Sequence, residues 1–293
     1  MLKSESSSAL ASRVLIFARM VKIEHSVFAL PFAYIGVFLA ARSWPGWTVF
    51  LLLTLAMVAI RSFAMAVNRL ADVQFDRTNP RTRDRPLVTG EMAPGQGWTL
   101  CAVTAAIFVL SCAGLNSLCL VLSPVALAWA ALYSWSKRFT WMTHFWLGSV
   151  LGLAPVGGWL AYDPVFTLTA VLFALGVTFW VAGFDILYSC QDADFDRRAG
   201  LNSIPAHFGV HAALGFSTLS HVMAALFFLL AGWSADLGGA FMLFWAVISG
   251  VLIWEHTLVS EHDLSRVNLA FFTLNGVIAV VLCAGVLVDV FLV

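Results

Sequence analysis

Residues 47–76 read WTVFLLLTLAMVAIRSFAMAVNRLADVQFD, and this stretch decides the fold. Its first part, residues 47–66, is an apolar run with Arg61 as its single charge. A run of this length is what a helix needs to cross the hydrocarbon core of a bilayer. Asn68, Asp72 and Asp76 then follow at steps of four, so they share one face if the helix continues. The stretch predicts a spanning helix that ends in an acidic motif.

The rest of the chain resembles this stretch in composition. Of its 293 residues, 61% are hydrophobic and only 11% are charged, which is too little charge to cover the surface of a soluble domain of this length. We expect an all-α polytopic membrane protein with nine transmembrane helices. The predicted spans are 26–41, 47–66, 98–114, 117–135, 145–161, 165–184, 210–232, 237–256 and 268–291.

The domain organisation follows from these runs. Residues 1–293 are predicted to form a single transmembrane domain, and residues 1–25 a segment that lies in the membrane interface before the first span. Two acidic motifs occupy corresponding positions in successive blocks of helices. This placement predicts a pseudo-repeat of helix blocks at about 26–135 and 145–256.

The basic residues predict the orientation. With a cytoplasmic N-terminus, 15 of the 16 Lys and Arg residues fall on or near the cytoplasmic side, and only Arg42 falls outside. The C-terminus is then external, and both acidic motifs face the cytoplasm. We expect an integral protein of a bacterial-type inner or plasma membrane, with the lipid bilayer as a partner. The net charge of zero gives no electrostatic reason for nucleic-acid binding.

A second acidic motif lies in residues 185–198, which read DILYSCQDADFDRR. The string D-x-x-F-D-R occurs at 72–77 and again at 192–197. Carboxylates four residues apart on a helix repel each other, and a cation would relieve that repulsion. The candidate ligands are all oxygens, which favours Mg²⁺ over Zn²⁺. The predicted metal ligands are Asn68, Asp72, Asp76, Asp192 and Asp196.

Basic residues accompany the two motifs on the same predicted membrane face. Guanidinium groups can hold phosphate oxygens through paired hydrogen bonds, and a lysine adds a point charge. Mg²⁺ is usually bound by one or two carboxylates together with substrate phosphates. The sequence therefore predicts a phosphate-bearing ligand between the motifs. The basic residues are Arg77, Arg81, Arg83, Arg85, Lys137, Arg138 and Arg197.

Four ordered strings resemble the UbiA superfamily of intramembrane prenyltransferases, and most closely its 4-hydroxybenzoate polyprenyltransferases. They are N-x-x-x-D-x-x-x-D at 68–76, N-P-R-T-x-x-R-P-L at 79–87, Y-x-x-x-K-R-x-T at 133–140 and D-x-x-x-D at 192–196. The resemblance implies a nine-helix bundle around a central cavity, with cytoplasmic loops that cap the site. It also implies that Mg²⁺ bridges the aspartates and the diphosphate of a polyprenyl donor, and that an aromatic carboxylate is the acceptor.

Site residues follow from the motifs and the resemblance together. The predicted catalytic residues are Asp72, Asp76, Asp192, Asp196, Lys137 and Arg138. The predicted substrate contacts are Asn68, Arg69, Arg77, Arg81, Arg85, Tyr133, Asp185, Tyr188 and Glu24. Arg69 and Arg138 are candidates to bind the acceptor carboxylate. A polar cluster at Glu255, His256, Glu261, His262 and Asp263 is interpreted as a solvated cap.

Several alternatives stay open at this point. Lys22-Ile23-Glu24-His25 and Phe195 depart from the usual 4-hydroxybenzoate pattern, so a dihydroxynaphthoate in menaquinone biosynthesis is a second possible acceptor beside ubiquinone chemistry. Haem or chlorophyll prenylation is a further family alternative. A cation-coupled transporter is the main rival from another class, but the acids lie at span ends and not at the midplane. A CDP-alcohol phosphotransferase would need a D-G-x-x-A-R string, which is missing.

Overall fold

The structure is a computed structural model, and it describes residues 15–22, 29–261, 263–267 and 269–292. Within these residues the regular structure is helical, with no strand. The long helices are α1 Leu30–Ala41, α2 Trp47–Asp76, α3 Pro94–Leu115, α4 Ser117–Ser136, α5 Thr143–Tyr162, α6 Leu168–Ser189, α7 Val210–Ser234, α8 Gly239–Thr257 and α9 Asn275–Leu292. The short helical segments are Pro86–Thr89, Cys190–Asp192, Ala193–Ala199, Ile204–Phe208 and Leu269–Leu274.

The described part of the chain contains eight helices, α2 to α9, that are long and apolar enough to cross a membrane. The expected all-α, polytopic membrane fold is therefore confirmed. The apolar helix α1 has only 12 described residues, so the count of nine spans stays a prediction. The interfacial segment 1–25 lies largely outside the described residues, of which 15–21 are helical. The division into two helix blocks also stays a prediction.

Helix α2 is longer than the apolar run that predicted it. The run ends at residue 66, whereas the helix continues through the acidic motif to Asp76. The continuation keeps Asn68, Asp72 and Asp76 on one side of the helix. A side-chain hydrogen bond from Asn68 Nδ2 to Asp72 Oδ2, 3.0 Å long, shows that these two residues share that side.

The hydrophobic core surrounds α6. In the helical segment Leu168–Ala199, which begins with α6, 61% of the most apolar 18-residue stretch is buried, a larger share than in any other candidate span of the described chain. Large side chains from three helices, Phe32, Trp180 and Phe228, meet there without solvent exposure. Because α6 ends beside the second acidic motif, this packing fixes the position of that motif in the bundle.

Glycines bring α1 close to α5. A Cβ atom on Gly36 would lie 2.1 Å from the carbonyl oxygen of Pro155, and one on Gly158 would lie 2.0 Å from that of Ala33. Such contacts exclude any side chain at these positions, as in other helix pairs that pack through small residues. The pair α1–α5 is therefore a tightly packed wall of the bundle.

The prediction of a solvated cap at residues 255–263 is wrong for Glu255. This residue is fully buried, and its Oε1 accepts a 3.2 Å hydrogen bond from Asn275. Trp180 Nε1 donates to the same asparagine at 2.7 Å. The physical reason is that α8 continues to Thr257 and turns Glu255 toward α6 and α9. Glu261 and Asp263 are exposed as predicted, and His262 lies outside the described residues.

Candidate active site

A polar cavity of about 170 Å³ lies where α2, α4 and α6 end and α5 begins. It brings together residues that are more than a hundred positions apart in the sequence. Both acidic motifs and cations from two further segments line it. The predicted site residues that line the cavity are Asn68, Asp72, Asp76, Arg81, Arg85, Tyr133, Lys137, Arg138, Asp185, Tyr188, Asp192 and Asp196.

The first motif lies at the end of α2 and meets cations from two directions. Arg85 donates from Nη1 to Asp76 Oδ2, and both side chains are largely buried. Arg138 approaches from the end of α4, with 3.9 Å between its Nη2 and Asp72 Oδ1. Each acid of this motif therefore has a basic neighbour, which offsets the repulsion between two carboxylates one helical turn apart.

The loop that follows α2 links the two motifs. Asn79 Oδ1 accepts from the backbone N–H of Arg81 at 2.9 Å, and this turn directs the arginine across the cavity. Arg81 Nε donates to Asp192 Oδ1 at 3.1 Å, while its Nη2 donates to Oδ2, which makes a two-point ion pair. Its Nη1 also donates to the hydroxyl of Tyr188 at 2.7 Å. A residue of the first loop thus neutralises an acid of the second motif.

The second motif does not lie on one continuous helix. Helix α6 ends at Ser189, a 3₁₀ turn covers Cys190–Asp192, and a new helix spans Ala193–Ala199. Asp196 is almost fully buried, and Lys137 Nζ donates to its Oδ2 at 3.1 Å. The backbone N–H of Leu201 donates to the carbonyl of Asp196 at 2.8 Å, which closes the loop behind it.

Electrostatics at Lys137 favour its charged form. Burial alone would lower the pKa of this lysine, but the carboxylates of Asp196, Asp185 and Asp192 outweigh burial and raise the pKa above its ordinary value. The lysine therefore carries a full positive charge at neutral pH. A charged ammonium group in a partly closed cavity can stabilise negative charge that develops on a substrate.

Among the described residues, two predicted site residues do not line the cavity. Arg77 is exposed, because it follows Asp76 by one residue and so projects about 100° away from the acidic face. Arg69 follows Asn68 in the same way; it is buried within electrostatic range of Asp72 and Asp76 but lies outside the cavity lining. Glu24 lies outside the described residues. Arg83 and Arg197, which were expected to surround the site, are exposed outside it.

Two residues with roles in the architecture of the site were not predicted from the sequence. His144 at the start of α5 is fully buried, and its Nδ1 lies 2.7 Å from Asp185 Oδ2. Nothing in its sequence surroundings distinguishes this single histidine. Arg61 is half-buried in α2 and lines a smaller, mostly apolar cavity of about 40 Å³ beside Met57 and Ala130. Its charge inside an apolar run is a signal that could have identified it, since such charges are usually functional.

Taken together, the geometry defines an integral membrane protein with a polar site at one end of its helix bundle. Five aspartates and four Lys or Arg side chains line that site, which suits a metal-bound diphosphate. The chain matches the model of the UbiA prenyltransferase family over residues 29–277. It therefore belongs to the UbiA prenyltransferase family and is a prenyltransferase.

Relatives agree over most of the chain. It is 28% identical over 266 residues to the 4-hydroxybenzoate octaprenyltransferase of Cupriavidus metallidurans, an alignment that covers 89% of each protein. It is 27% identical to the protein of the same name from Marinobacter nauticus, covering 90% of this chain and 91% of that one.

Solved structures share the fold. A UbiA homologue from Aeropyrum pernix K1, in its apo form, is 38% identical and superimposes with a TM-score of 0.82, covering 91% of this chain and 98% of that chain. A UbiA homologue from Archaeoglobus fulgidus bound to GPP and Mg²⁺ is 19% identical, with a TM-score of 0.71 over 94% of this chain and 99% of that chain. At that identity the second comparison supports the fold alone.

Proposed function

We propose that the protein transfers a polyprenyl group from a polyprenyl diphosphate to an aromatic acid, with 4-hydroxybenzoate as the acceptor, in quinone biosynthesis. The observation that carries this proposal is the pairing of four cavity aspartates with four cations from different segments around one cavity. The names of the relatives from Cupriavidus and Marinobacter support the acceptor.

The donor set of the cavity fits Mg²⁺ as the cofactor. Its candidate ligands are the carboxylates of both motifs and the amide oxygen of Asn68, which are the hard oxygen ligands that this ion prefers. No three His, Cys, Asp or Glu side chains of the described chain form a ready cluster for one ion. A homologue of the same fold, from Archaeoglobus fulgidus, was solved with GPP and Mg²⁺ bound.

The ligands would come from both sides of the cavity: Asn68, Asp72, Asp76, Asp192 and Asp196. When bound, Mg²⁺ supplies positive charge that stabilises the departing diphosphate. The chain itself supplies Lys137 and Arg138 for the same task. Arg81 and Arg85 already form ion pairs with the aspartates, so they can exchange carboxylate oxygens for phosphate oxygens with little movement.

Arg61 is the residue we assign to the acceptor carboxylate. It lies 11 positions before Asp72 on α2, about 16 Å deeper along the helix axis. Its Nε is buried and makes no hydrogen bond within the described part of the chain, while the residue as a whole is half-buried. Tyr133, which lines the main cavity, lies within electrostatic range of it. A guanidinium nitrogen that is buried without a hydrogen-bond partner favours an anionic ligand.

Arg61 is preferred here to the two arginines that the sequence indicated. Arg138 is engaged with the carbonyl of Ala71, at 2.6 Å, and with Asp72. Arg69 lies within electrostatic range of Asp76 and Asp72, whose carboxylates already offset its charge. The acceptor would therefore extend from Arg61 toward the diphosphate, past Tyr133.

An apolar cavity of about 140 Å³ between α2, α3, α4 and α5 is suited to part of the isoprenoid chain. Its lining is almost wholly hydrocarbon and includes Ile60, Phe108 and Leu160. An isoprenoid in such a cavity avoids water, while its diphosphate stays at the polar end of the bundle.

The basic residues support a cytoplasmic site. We place the N-terminus and both acidic motifs on the cytoplasmic face of a bacterial inner membrane, and the C-terminus outside. The distribution of Lys and Arg supports this orientation through the positive-inside rule.

A product assay tests the proposed function. The purified protein in detergent is incubated with a polyprenyl diphosphate and Mg²⁺, and with either 4-hydroxybenzoate or a dihydroxynaphthoate, and products are identified by mass spectrometry. We expect a prenylated 4-hydroxybenzoate that disappears in excess EDTA. Prenylation of the naphthoate alone would show that a dihydroxynaphthoate, and not 4-hydroxybenzoate, is the acceptor. The absence of a prenylated product with either acid would reject the proposed function.

The acceptor anchor has its own test. We expect Arg61→Leu to raise the KM for 4-hydroxybenzoate by about 10- to 100-fold with little change in the KM for the donor, because a charged hydrogen bond contributes about 1.5–3 kcal/mol. Arg83→Leu removes an exposed arginine and serves as the control. An unchanged KM for 4-hydroxybenzoate in Arg61→Leu would reject the proposal that Arg61 binds the acceptor carboxylate.

A further inference from the structure

Asp185 differs from the other aspartates of the cavity. Each of the other four has a Lys or Arg side chain within ion-pair distance. Among the described residues, the group within that distance of Asp185 is a histidine, His144, with 2.7 Å between Nδ1 and Oδ2. A substrate group can therefore reach the Asp185 carboxylate without first breaking an ion pair to a Lys or Arg side chain.

The surroundings of His144 set its tautomer. The backbone N–H of Ile204 donates to its Nε2 at 3.3 Å, so that nitrogen is the acceptor of the ring. In the neutral ring the proton then lies on Nδ1, which donates to Asp185 Oδ2. The histidine is fully buried, so this arrangement orients the carboxylate and leaves its second oxygen for the cavity that Asp185 lines.

Asp185 is placed to contact the proposed acceptor ring and not the diphosphate of the donor. It lies on α6, one helical turn before that helix ends at Ser189, so it is farther from the end of the bundle than the second motif that follows the helix. Tyr133 lies within electrostatic range of both Asp185 and Arg61, and it lines the polar cavity together with Asp185. An aromatic acid bound to Arg61 and directed toward the donor would lie beside the carboxylate of Asp185.

We infer that Asp185 is a catalytic residue that accepts the ring proton of the acceptor, and that His144 is its positioning residue. This inference rests on the proposed function. The bond between the allylic carbon and the diphosphate oxygen breaks, and its electron pair leaves with the diphosphate. A ring carbon forms the new C–C bond, and the proton on that carbon passes to Asp185, which restores the aromatic ring.

The inference requires that ring deprotonation becomes slow when Asp185 cannot accept a proton. We expect Asp185→Asn to lower kcat by about 10²- to 10³-fold, within the usual range for loss of a general base. We also expect a primary isotope effect on kcat to appear with 4-hydroxybenzoate deuterated beside the hydroxyl group. Wild-type protein should show none, because its deprotonation is fast.

The histidine is tested by two substitutions. His144→Leu removes both hydrogen bonds, and we expect kcat to fall by about 10- to 100-fold through misplacement of the carboxylate. In His144→Gln the amide can donate to Asp185 and accept from Ile204, so kcat should return to within about threefold of wild type. His207→Leu is the matched control, because His207 is exposed and outside the cavity lining.

The outcomes separate this inference from the proposed function. No prenylated acid from wild-type protein would reject both. Prenylation by wild type together with normal kcat and no isotope effect in Asp185→Asn would overturn the base assignment alone. An isotope effect in Tyr133→Phe but not in Asp185→Asn would transfer the role to Tyr133. Equal losses in His144→Gln and His144→Leu, with unchanged thermal unfolding, would overturn the positioning role.

Discussion

The two acidic motifs contain the same D-x-x-F-D-R string but lie on different backbones. The first ends a single uninterrupted helix, Trp47–Asp76. The second crosses a helix end, a 3₁₀ turn and the start of another short helix. In each motif the last aspartate is the more deeply buried one: Asp76 is 6% exposed and Asp196 is 2% exposed. The break therefore does not prevent the second motif from directing its carboxylates into the same cavity.

The cations that pair with the two motifs come from outside the repeated string. Neither arginine of the string, Arg77 or Arg197, lines the cavity; Arg197 pairs with Asp194 on the exposed side. Cations from other segments take that place, and Arg81 crosses from the first loop to the second motif. The repeated string thus supplies four of the five aspartates that line the cavity, while other segments supply its Lys and Arg side chains.

Removal of one acid from each motif should have the largest effect. We expect Asp72→Asn and Asp192→Asn each to lower product formation by about 100-fold or more, because each removes a ligand charge from the diphosphate site. Asp194→Asn, an exposed aspartate of the same string, is the matched control. Initial rates with a polyprenyl diphosphate measure the effect. A loss in only one of the two variants would show that the motifs are not functionally equivalent.

The crossing arginine should have the next largest effect. We expect Arg81→Gln to raise the KM for the donor by about 10- to 100-fold, since hydrogen bonds to charged groups contribute about 1.5–3 kcal/mol each. Arg83→Gln, two residues away and exposed, should stay near wild type. Donor titration at saturating acceptor measures this. Equal KM values for the two variants would mean that the link between the motifs is structural only.

Lys137 connects the stability of the second motif to pH. Its pKa in the folded protein lies above the ordinary value of 10.5, because the attraction of Asp196 outweighs burial. The stabilisation is therefore fully present below about pH 10.5 and is lost as pH rises through the folded pKa. We expect Lys137→Met to lower the free energy of unfolding by about 2 kcal/mol at pH 7. Thermal unfolding from pH 7 to 11 should show this difference shrinking at the alkaline end, and a constant difference would contradict the ion pair.

The arginines of the string itself should have the smallest effects. Arg77→Gln and Arg197→Gln each change an exposed residue, and exposed ion pairs contribute about 0–1 kcal/mol. We expect product formation within about twofold of wild type for both. The same rate assay measures both variants. A tenfold loss of product formation in Arg77→Gln would show that Arg77 contacts the substrate, as the sequence predicted.

Much of the fold was predictable because its signals are local. The length and composition of each apolar run indicate a spanning helix, since lipid offers no hydrogen-bond partners to an unfolded backbone. The spacing of Asn68 and Asp72 likewise predicts a shared face, which their hydrogen bond reflects. These signals do not depend on how the helices pack against each other.

The errors have a common physical cause. Whether a polar residue near a helix end is solvated depends on the neighbouring helices, and Glu255 is buried because α6 and α9 cover it. The orientation of an arginine in a loop depends on its backbone turn, and so Arg81 enters the cavity while Arg83 does not. Sequence spacing carries no information on either point.

By itself, the sequence determined that this chain is an α-helical membrane protein with two oxygen-rich motifs suited to a metal-bound diphosphate. Those conclusions follow from composition and from the 3.6-residue period of the helix. Only the tertiary structure decided which cation faces which acid, that Asp185 is held by His144, and that Arg61 Nε is buried without a hydrogen-bond partner among the described residues. The physical reason is that such pairings join segments far apart in the chain, so they exist only once the helices have packed.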